Sequence, residues 1–219
     1  TPRIAEYLFA GGVDVITLGD HAWDNREVLG IIDREPRLIR PANYPEGAPG
    51  RGFVVVSNKA GQKIAVINLL GRQFLKFQPD CPFRKVDALL GEIDGQTKNI
   101  LVDFHAEATA EKIAFGRYVD GRVSAVFGTH THVPTADAQV FAKGTGYITD
   151  VGMCGAHESV IGTAIEPIIK RMLSQLPQKF LLAEKDVRVN GVVVEVDEST
   201  GRAIALRRVC EVVEEEKAS

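Results

Sequence analysis

Three times along the chain, an apolar strand pattern is followed by a polar loop and a helix pattern, and each time a histidine comes just after the strand. The strand patterns cover residues 13–18, 99–104 and 123–127. Nearly continuous apolar runs of this kind are typical of buried parallel strands. Because alternating strands and helices build a largely parallel sheet, we predict an α/β fold.

The positions of the histidines suggest a ligand site at the ends of these strands. Ligands of α/β folds bind at the carboxyl ends of the strands, where loops converge. We expect five candidate ligand side chains on this rim of one sheet: Asp20, His21, His105, His130 and His132. A core histidine bonded to a backbone carbonyl explains any single case, but four at equivalent positions are harder to explain that way. Since neutral imidazole is the commonest metal ligand, we predict a metal site.

The segment Gly128-Thr129-His130-Thr131-His132 holds two imidazoles one residue apart. On a turn that leaves a strand, both can converge on one point, whereas a helix or a continuing strand would direct them to different faces. A polar loop that happens to contain two histidines is the alternative, and the other histidines count against it.

Composition limits the class of protein. The chain has 219 residues, 45% apolar and 25% charged, which suits a single globular domain over residues 1–219 with an acidic tail at 211–219. A net charge of -3 argues against a strong nucleic-acid patch or a membrane-surface protein. The sequence has no Cys-x-x-Cys pair, no apolar run of membrane-spanning length and no recognisable signal peptide, so we expect a cytoplasmic protein with reduced cysteines.

The remaining patterns predict further helices and strands. Helices are expected at 2–10, 25–33, 83–93, 109–118 and 163–176. Further strands are expected at 53–57, 63–69, 138–141, 146–149, 191–196 and 203–209.

The same residues resemble a known family. Gly19-Asp20-His21 resembles the Gly-Asn-His or Gly-Asp-His block of calcineurin-like metallophosphoesterases, and residues 128–132 resemble their Gly-His-Thr-His block. Longer stretches resemble the YmdB-like branch of that family: residues 18–24, 40–45, 68–72, 103–109 and 148–153. The likeness spans nearly all of the chain.

The resemblance implies a metallophosphoesterase α/β sandwich and a two-metal phosphodiesterase that hydrolyses cyclic nucleotides, notably 2′,3′-cyclic and also 3′,5′-cyclic phosphates. By family role, Asp20, His105 and His130 would hold one metal, His132 would hold the other, and His21 would be the catalytic histidine. Metal-activated hydroxide would attack phosphorus, while His21 stabilises charge or protonates the leaving alkoxide. Such ligands suit iron or manganese, and also zinc, better than magnesium. Homo-oligomers occur among relatives, but the sequence sets no oligomeric state.

Two departures from the family pattern bear on these expectations. The residue before the catalytic histidine is usually Asn in this branch, and here it is Asp20, whose negative charge would bind metal more strongly and slow turnover or shift metal preference. The family's first two strands also bring an Asp and a Glu-Asn pair that nothing before Thr1 supplies. We therefore expect an N-terminally truncated portion of the enzyme with an incomplete site.

Weaker candidates and a second function stay open at this stage. Asn43 and Arg72 are candidate substrate contacts, although bracing of loops is as good an explanation. Asp24, Glu107 and Asp150 lie near the rim, where helix capping and hydrogen bonds to ligands are the simpler roles. The alternative function is a non-catalytic or weakly active regulatory protein that binds a nucleotide or RNA. A barrel-type amidohydrolase is disfavoured, since an early His-x-His and a barrel-length chain are lacking.

Overall fold

The computed structural model describes residues 1–213 and confirms the α/β fold class. Its helices are α1 Pro2–Ala10, α2 Pro82–Ile93, α3 Thr109–Tyr118 and α4 Ile165–Ser174, with a 3₁₀ helix at Arg26–Gly30. Its strands are β1 Ile16–Thr17, β2 Leu38–Ile39, β3 Phe53–Ser57, β4 Lys63–Leu70, β5 Ile100–His105, β6 Ala125–Thr129, β7 Gln139–Val140, β8 Gly146–Ile148, β9 Gly155–Ala156, β10 Val187–Asp197 and β11 Arg202–Val212. None of these helices has the length and apolar content that a bilayer crossing requires.

The central sheet has six strands in the order β3-β4-β5-β6-β8-β7. Strands β4, β5, β6 and β8 are parallel, and the edge strands β3 and β7 run antiparallel to their neighbours. In this register Leu70 is opposite His105, and His105 is opposite Thr129. The ends of β4, β5 and β6 therefore lie level at one rim of the sheet, as the sequence predicted for the last two.

Helices α2 and α3 pack on one face of this sheet and share its core. In α2 the buried side chains are Pro82, Val86, Leu89 and Ile93, spaced three and four residues apart on one stripe of the helix. From α3, Phe115 stacks on Phe104 of β5 with ring centroids 4.2 Å apart. Such burial of large apolar side chains is the main favourable contribution to folding, and it fixes β5 beneath the two helices.

The N-terminal region differs from the expectation. The predicted strand at 13–18 is only two residues long, and it pairs in parallel with β2 in a separate two-stranded sheet, not in the central one. Asp20 and His21 therefore approach the rim from outside the central sheet. The predicted helix at 25–33 is a 3₁₀ helix capped by Asn25, whose side chain accepts from the Glu27 N–H. An apolar run indicates burial but does not specify which sheet a strand joins.

The C-terminal hairpin is longer than predicted. Strands β10 and β11 pair over eleven residues each, with a bulge at Glu195/Val196. Glu211 is opposite Val189, so the beginning of the expected acidic tail continues β11 and is not frayed. Residues 214–219 of that tail lie outside the described residues.

A buried ion pair joins α3 to the segment that follows β8. Lys112 Nζ donates to Asp150 Oδ2 at 2.7 Å, and both side chains are 1% exposed. The same carboxylate oxygen accepts from the Thr131 N–H at 3.1 Å, and Oδ1 accepts from the Gly152 N–H at 2.9 Å. Every charged atom of the pair is thus bonded inside the protein, which is the condition under which a buried pair is tolerated.

We expect Lys112→Met to lower the free energy of unfolding by about 3 kcal/mol, because it leaves the Asp150 carboxylate buried without its cation. Urea unfolding followed by circular dichroism measures the change. The matched control is Lys170→Met on the exposed side of α4, which should shift stability by less than about 0.5 kcal/mol. Equal free energies of unfolding in the two variants would show that the ion pair does not contribute this much to stability.

Candidate metal centre

Three donor atoms meet at the rim of the central sheet. His105 Nε2 lies 2.9 Å from Asp20 Oδ1 and 3.1 Å from His130 Nδ1. His130 Nδ1 lies 3.6 Å from the same oxygen of Asp20. The two imidazole rings are nearly perpendicular, at 85°. Asp20, His105 and His130 therefore form a compact triangle, and within residues 1–213 no other such group of three His, Cys, Asp or Glu residues is found.

The dimensions of this triangle fit one metal ion. Imidazole nitrogen and carboxylate oxygen bind transition metals at about 2.0–2.2 Å. At that bond length, neighbouring ligand atoms are about 3.0 Å apart in octahedral and about 3.4 Å apart in tetrahedral coordination. The observed separations of 2.9, 3.1 and 3.6 Å span this range. Nitrogen and carboxylate donors also match the preference of iron, manganese and zinc.

The position of His105 follows from strand geometry. It is the last residue of β5, and its backbone carbonyl accepts from the Gly71 N–H at 2.8 Å. Side chains two residues apart on a strand share a face, so His105 and Asp103 point the same way. The far ring nitrogen, His105 Nδ1, lies 2.8 Å from Thr129 Oγ1, which in turn donates to Asp103 Oδ1 at 2.7 Å. The ring is thus held from behind.

His130 is positioned by a strained turn after β6. Its φ of 107° lies in a region that residues other than glycine rarely adopt. The Asp150 carboxylate holds this turn by accepting from the Thr131 N–H. On its other side, His130 Nε2 lies 3.1 Å from Glu107 Oε2. Burial and the neighbouring His105 lower the pKa of His130, so its imidazole stays neutral, the form that binds metal, to a lower pH than usual.

Asp20 reaches the two histidines because Gly19 packs directly on the His105 ring. A Cβ at position 19 would overlap the ring atoms of His105, so only glycine allows this approach. Hydrogen bonding to His105, which outweighs the opposing effect of burial, lowers the pKa of Asp20 to about 2. The carboxylate is therefore ionised at neutral pH.

At Asp103, which lies behind the triangle, burial is the largest effect on the pKa. Its side chain is enclosed, and this raises its pKa, while hydrogen bonds from Thr17 and Thr129 and the charges of nearby cationic groups oppose the rise. Burial thus favours the protonated form of Asp103, and the hydrogen bonds favour the carboxylate.

His21 lies beside the triangle but is not part of it. Its side chain is 78% exposed, and Nε2 is 3.8 Å from Asp20 Oδ1. Its other nitrogen, Nδ1, is 2.8 Å from the Asp24 carboxylate. His21 is thus outside the group of three and hydrogen-bonds to Asp24, and its role as a catalytic residue stays a prediction.

His132 lies outside the group of three formed by Asp20, His105 and His130, and its convergence with His130 stays a prediction. His132 has a φ of 67°, and its Nδ1 donates to the Ile161 carbonyl at 3.1 Å. It lines the same open cleft of about 290 Å³ as His105 and His130 without joining their triangle. Its assignment to a second metal stays a prediction.

The two candidate substrate contacts have different outcomes. Asn43 is fully buried; its amide donates to the carbonyls of Leu70 and Asp80, and its Oδ1 accepts from the Leu70 N–H. Asn43 is therefore a brace and not a substrate contact, because no polar atom of its side chain faces solvent. The Arg72 backbone N–H donates to the Glu111 carboxylate, and its side chain is half-buried, with Nε lacking a partner among the described residues. Its assignment as a substrate contact stays a prediction.

Three residues behind the site were not singled out from the sequence: Asp103, Thr129 and Lys112. Asp103 had a usable signal, since it is a carboxylate inside an otherwise apolar strand pattern, two residues before a histidine. Lys112 had none, because a lysine in a helix pattern is normally exposed.

Comparison with known proteins identifies the family and relatives of this chain. A family described as YmdB-like protein matches residues 1–209. The chain is 49% identical over 209 residues to the 2′,3′-cyclic-nucleotide 2′-phosphodiesterase of Bacillus subtilis (strain 168), covering 95% of this chain and 78% of that protein.

Two solved structures share the fold. A hypothetical protein from Thermus thermophilus superposes with a TM-score of 0.89 at 41% identity, covering 96% of this chain and 81% of that one. A structure described as a novel phosphatase from Mycoplasma pneumoniae superposes with a TM-score of 0.88 at 37% identity, covering 97% and 76%. From the match over residues 1–209 and these relatives, we conclude that the chain belongs to the YmdB-like protein family.

Proposed function

We propose that this chain is a metal-dependent phosphodiesterase that hydrolyses 2′,3′-cyclic nucleotides, with 3′,5′-cyclic nucleotides as further substrates. The observation that carries the proposal is the triangle of donor atoms formed by Asp20, His105 and His130. The activity named for the Bacillus subtilis relative, at 49% identity, supports the choice of substrate. The cleft beside the triangle is open enough to admit a small phosphodiester.

The metal would be held by Asp20 Oδ1, His105 Nε2 and His130 Nδ1, with iron or manganese as the favoured ion and zinc as the next choice. When bound, such an ion supplies positive charge for the phosphoryl oxygens and acidifies neighbouring water. His132 lines the same cleft and is the candidate ligand for a second ion.

His21 is the proposed proton donor. Its Nδ1 is 2.8 Å from Asp24 Oδ2, so an Nδ1–H bonded to this carboxylate leaves Nε2 directed towards Asp20 and the cleft. When water attacks phosphorus and the P–O2′ bond breaks, the protonated Nε2 gives its proton to the leaving ribose oxygen. The proton that the attacking water loses passes to solvent, and solvent reprotonates Nε2 for the next turnover. The imidazolium also offers a positive charge to the phosphoryl oxygens before that transfer.

The proposal is tested with the purified chain, Mn²⁺ or Fe²⁺, and a 2′,3′-cyclic nucleotide. We expect release of the nucleoside 3′-phosphate, loss of activity with a chelator and its recovery when metal is returned. Elemental analysis of the same sample counts the bound ions. Nucleotide binding without product would instead support the regulatory alternative, which the extra negative charge of Asp20 favours.

The role of His21 predicts a specific loss. We expect His21→Ala to lower kcat by about 10²- to 10⁴-fold, the usual contribution of a positioned acid, while the metal content stays that of the unmodified chain. Steady-state kinetics and elemental analysis on the same preparation measure both quantities. Unchanged hydrolysis would remove His21 from the mechanism, and lost metal would make it a ligand.

The negative charge of Asp20 predicts that removing it weakens metal binding and speeds turnover. We expect Asp20→Asn to weaken Mn²⁺ binding by about tenfold, or about 1.4 kcal/mol, because an amide oxygen attracts a cation less than a carboxylate does. With one less negative charge beside the phosphate, kcat at saturating metal should rise. The matched control is Asp94→Asn at the exposed end of α2, which removes the same charge far from the site and should change neither quantity. Tighter binding in Asp20→Asn would contradict the proposal.

A further inference from the structure

The loop of residues 71–80, between β4 and α2, is closed at its base by one buried side chain. Asn43 Nδ2 donates to the Leu70 carbonyl at 2.7 Å and to the Asp80 carbonyl at 2.9 Å. In return, the Asp80 N–H donates to the Asn43 carbonyl at 2.9 Å. Surface loops whose ends are held together in this way are compact and frequently functional. The two ends of this loop are therefore fixed relative to each other.

Further contacts fix the first half of the loop. The buried carboxylate of Glu111, on α3, accepts from the backbone N–H of Arg72 at 3.0 Å and from that of Gln73 at 3.1 Å. Two residues beyond Gln73, the side chain of Leu75 is buried. Phe74 lies between these two anchors, so the backbone on both sides sets the direction of its side chain.

Phe74 combines an exposed ring with an unfavourable backbone conformation. It is 86% exposed, and its φ of 64° lies in the left-handed region that favours glycine. A ring in solvent buries little apolar surface, so within residues 1–213 its packing does little to offset this strain. Strained residues of this kind cluster at ligand sites. Phe77 of the same loop is less exposed, at 45%, and its φ is not positive, so the argument applies to Phe74.

The loop starts beside the candidate metal centre. The Gly71 N–H donates to the His105 carbonyl at 2.8 Å, and a Cβ at position 71 would overlap the side chain of Ala106. Because consecutive Cα atoms are about 3.8 Å apart, the Cα of Phe74 is at most about 11 Å from that of Gly71. A nucleotide whose phosphate is bound at the triangle extends over a distance of this order, so its base can reach the ring of Phe74.

The loop also lies on the His21 side of the site. Tyr44, the residue after Asn43, packs edge to face on Trp23 with ring centroids 5.7 Å apart, and Trp23 is two residues after His21. Under the proposed function, His21 protonates the ribose oxygen that leaves phosphorus. The ribose, with the base that it carries, therefore extends from the triangle towards His21 and the loop.

We propose that Phe74 is a specificity-determining residue that stacks on the nucleobase of the substrate. This inference rests on the proposed function, and it concerns the part of the substrate that the metal centre does not contact. Every base has a π-face, so a stacking ring accepts all four bases. A purine offers a larger face than a pyrimidine, and Phe74 therefore favours 2′,3′-cyclic purine nucleotides.

The test compares Phe74→Gly, which removes the ring and suits the positive φ, with Phe74→Tyr, which keeps a ring. In the presence of Mn²⁺ we expect Phe74→Gly to raise KM for 2′,3′-cyclic AMP by about tenfold while kcat is unchanged, because stacking contributes to binding and not to the chemical step. The purine preference over 2′,3′-cyclic CMP should fall, and Phe74→Tyr should retain both values. The thermal unfolding temperature of Phe74→Gly should not fall, since the substitution relieves strain.

Binding without turnover supplies a second measurement. Isothermal titration with adenosine 3′-phosphate, the expected product, should show affinity about tenfold weaker in Phe74→Gly, whereas the affinity for inorganic phosphate, which has no base, should be unchanged. The matched control is Phe180→Ala, which removes an exposed phenylalanine ring beyond α4 and should alter neither affinity.

Unchanged KM and unchanged nucleotide affinity in Phe74→Gly would overturn the proposal. An equal loss of affinity for inorganic phosphate would also overturn it, because the ring would then act on the site as a whole. A change of molecular mass in light scattering would assign the ring to a contact between copies of the chain instead. If the unmodified chain binds adenosine 3′-phosphate through Phe74 but hydrolyses no cyclic nucleotide, the proposed function fails while the stacking stands. If it binds no nucleotide, both fail.

Discussion

The site depends on the close approach of three atoms that can each bind a metal ion. Asp20 Oδ1, His105 Nε2 and His130 Nδ1 face one another at 2.9–3.6 Å, and lone pairs at that distance need a proton or a cation between them. The surrounding protein holds them there: the level strand ends of the parallel sheet, the strained turn at His130 and the Asp103–Thr129 pair behind His105. The sheet, the turn and the buried carboxylate thus all help to hold the three donor atoms close together.

Charge around the site is strongly negative, which matters for a phosphate substrate. Asp20, Asp24 and Glu107 all lie within a few ångströms of a site histidine, while Lys112 is bonded to Asp150 and faces inward. A site of this sign attracts cations and repels anions. Under the proposed function, a bound cation would offset this negative charge and make the cleft more favourable for a phosphodiester.

Part of this arrangement could be predicted from the sequence, because it depends on periodicity. A histidine at the end of an apolar strand pattern must lie at the rim of a parallel sheet, and this placed His105 and His130 correctly. The pattern could not show that β1 pairs with β2 in a separate sheet, since burial alone does not identify a strand's neighbour. It also could not give the sign of φ at His130 and His132, on which the direction of each imidazole depends.

Tertiary contacts account for the other differences. Asn43 carries the same amide whether it braces a loop or binds a ligand, and only its distance from Leu70 and Asp80 distinguishes the two. The hydrogen bonds of Thr129 to His105 and Asp103 depend on the register of β5 against β6, and no local sequence pattern predicts that register.

Gly19 has a consequence for how this centre is mapped by mutation. Alanine scanning normally measures what a protein loses when side-chain atoms are removed. At Gly19 the same substitution adds an atom, and that atom falls on the imidazole ring of His105. A scan would therefore rank this position among the sensitive ones, although the contribution of the glycine is the space it leaves free.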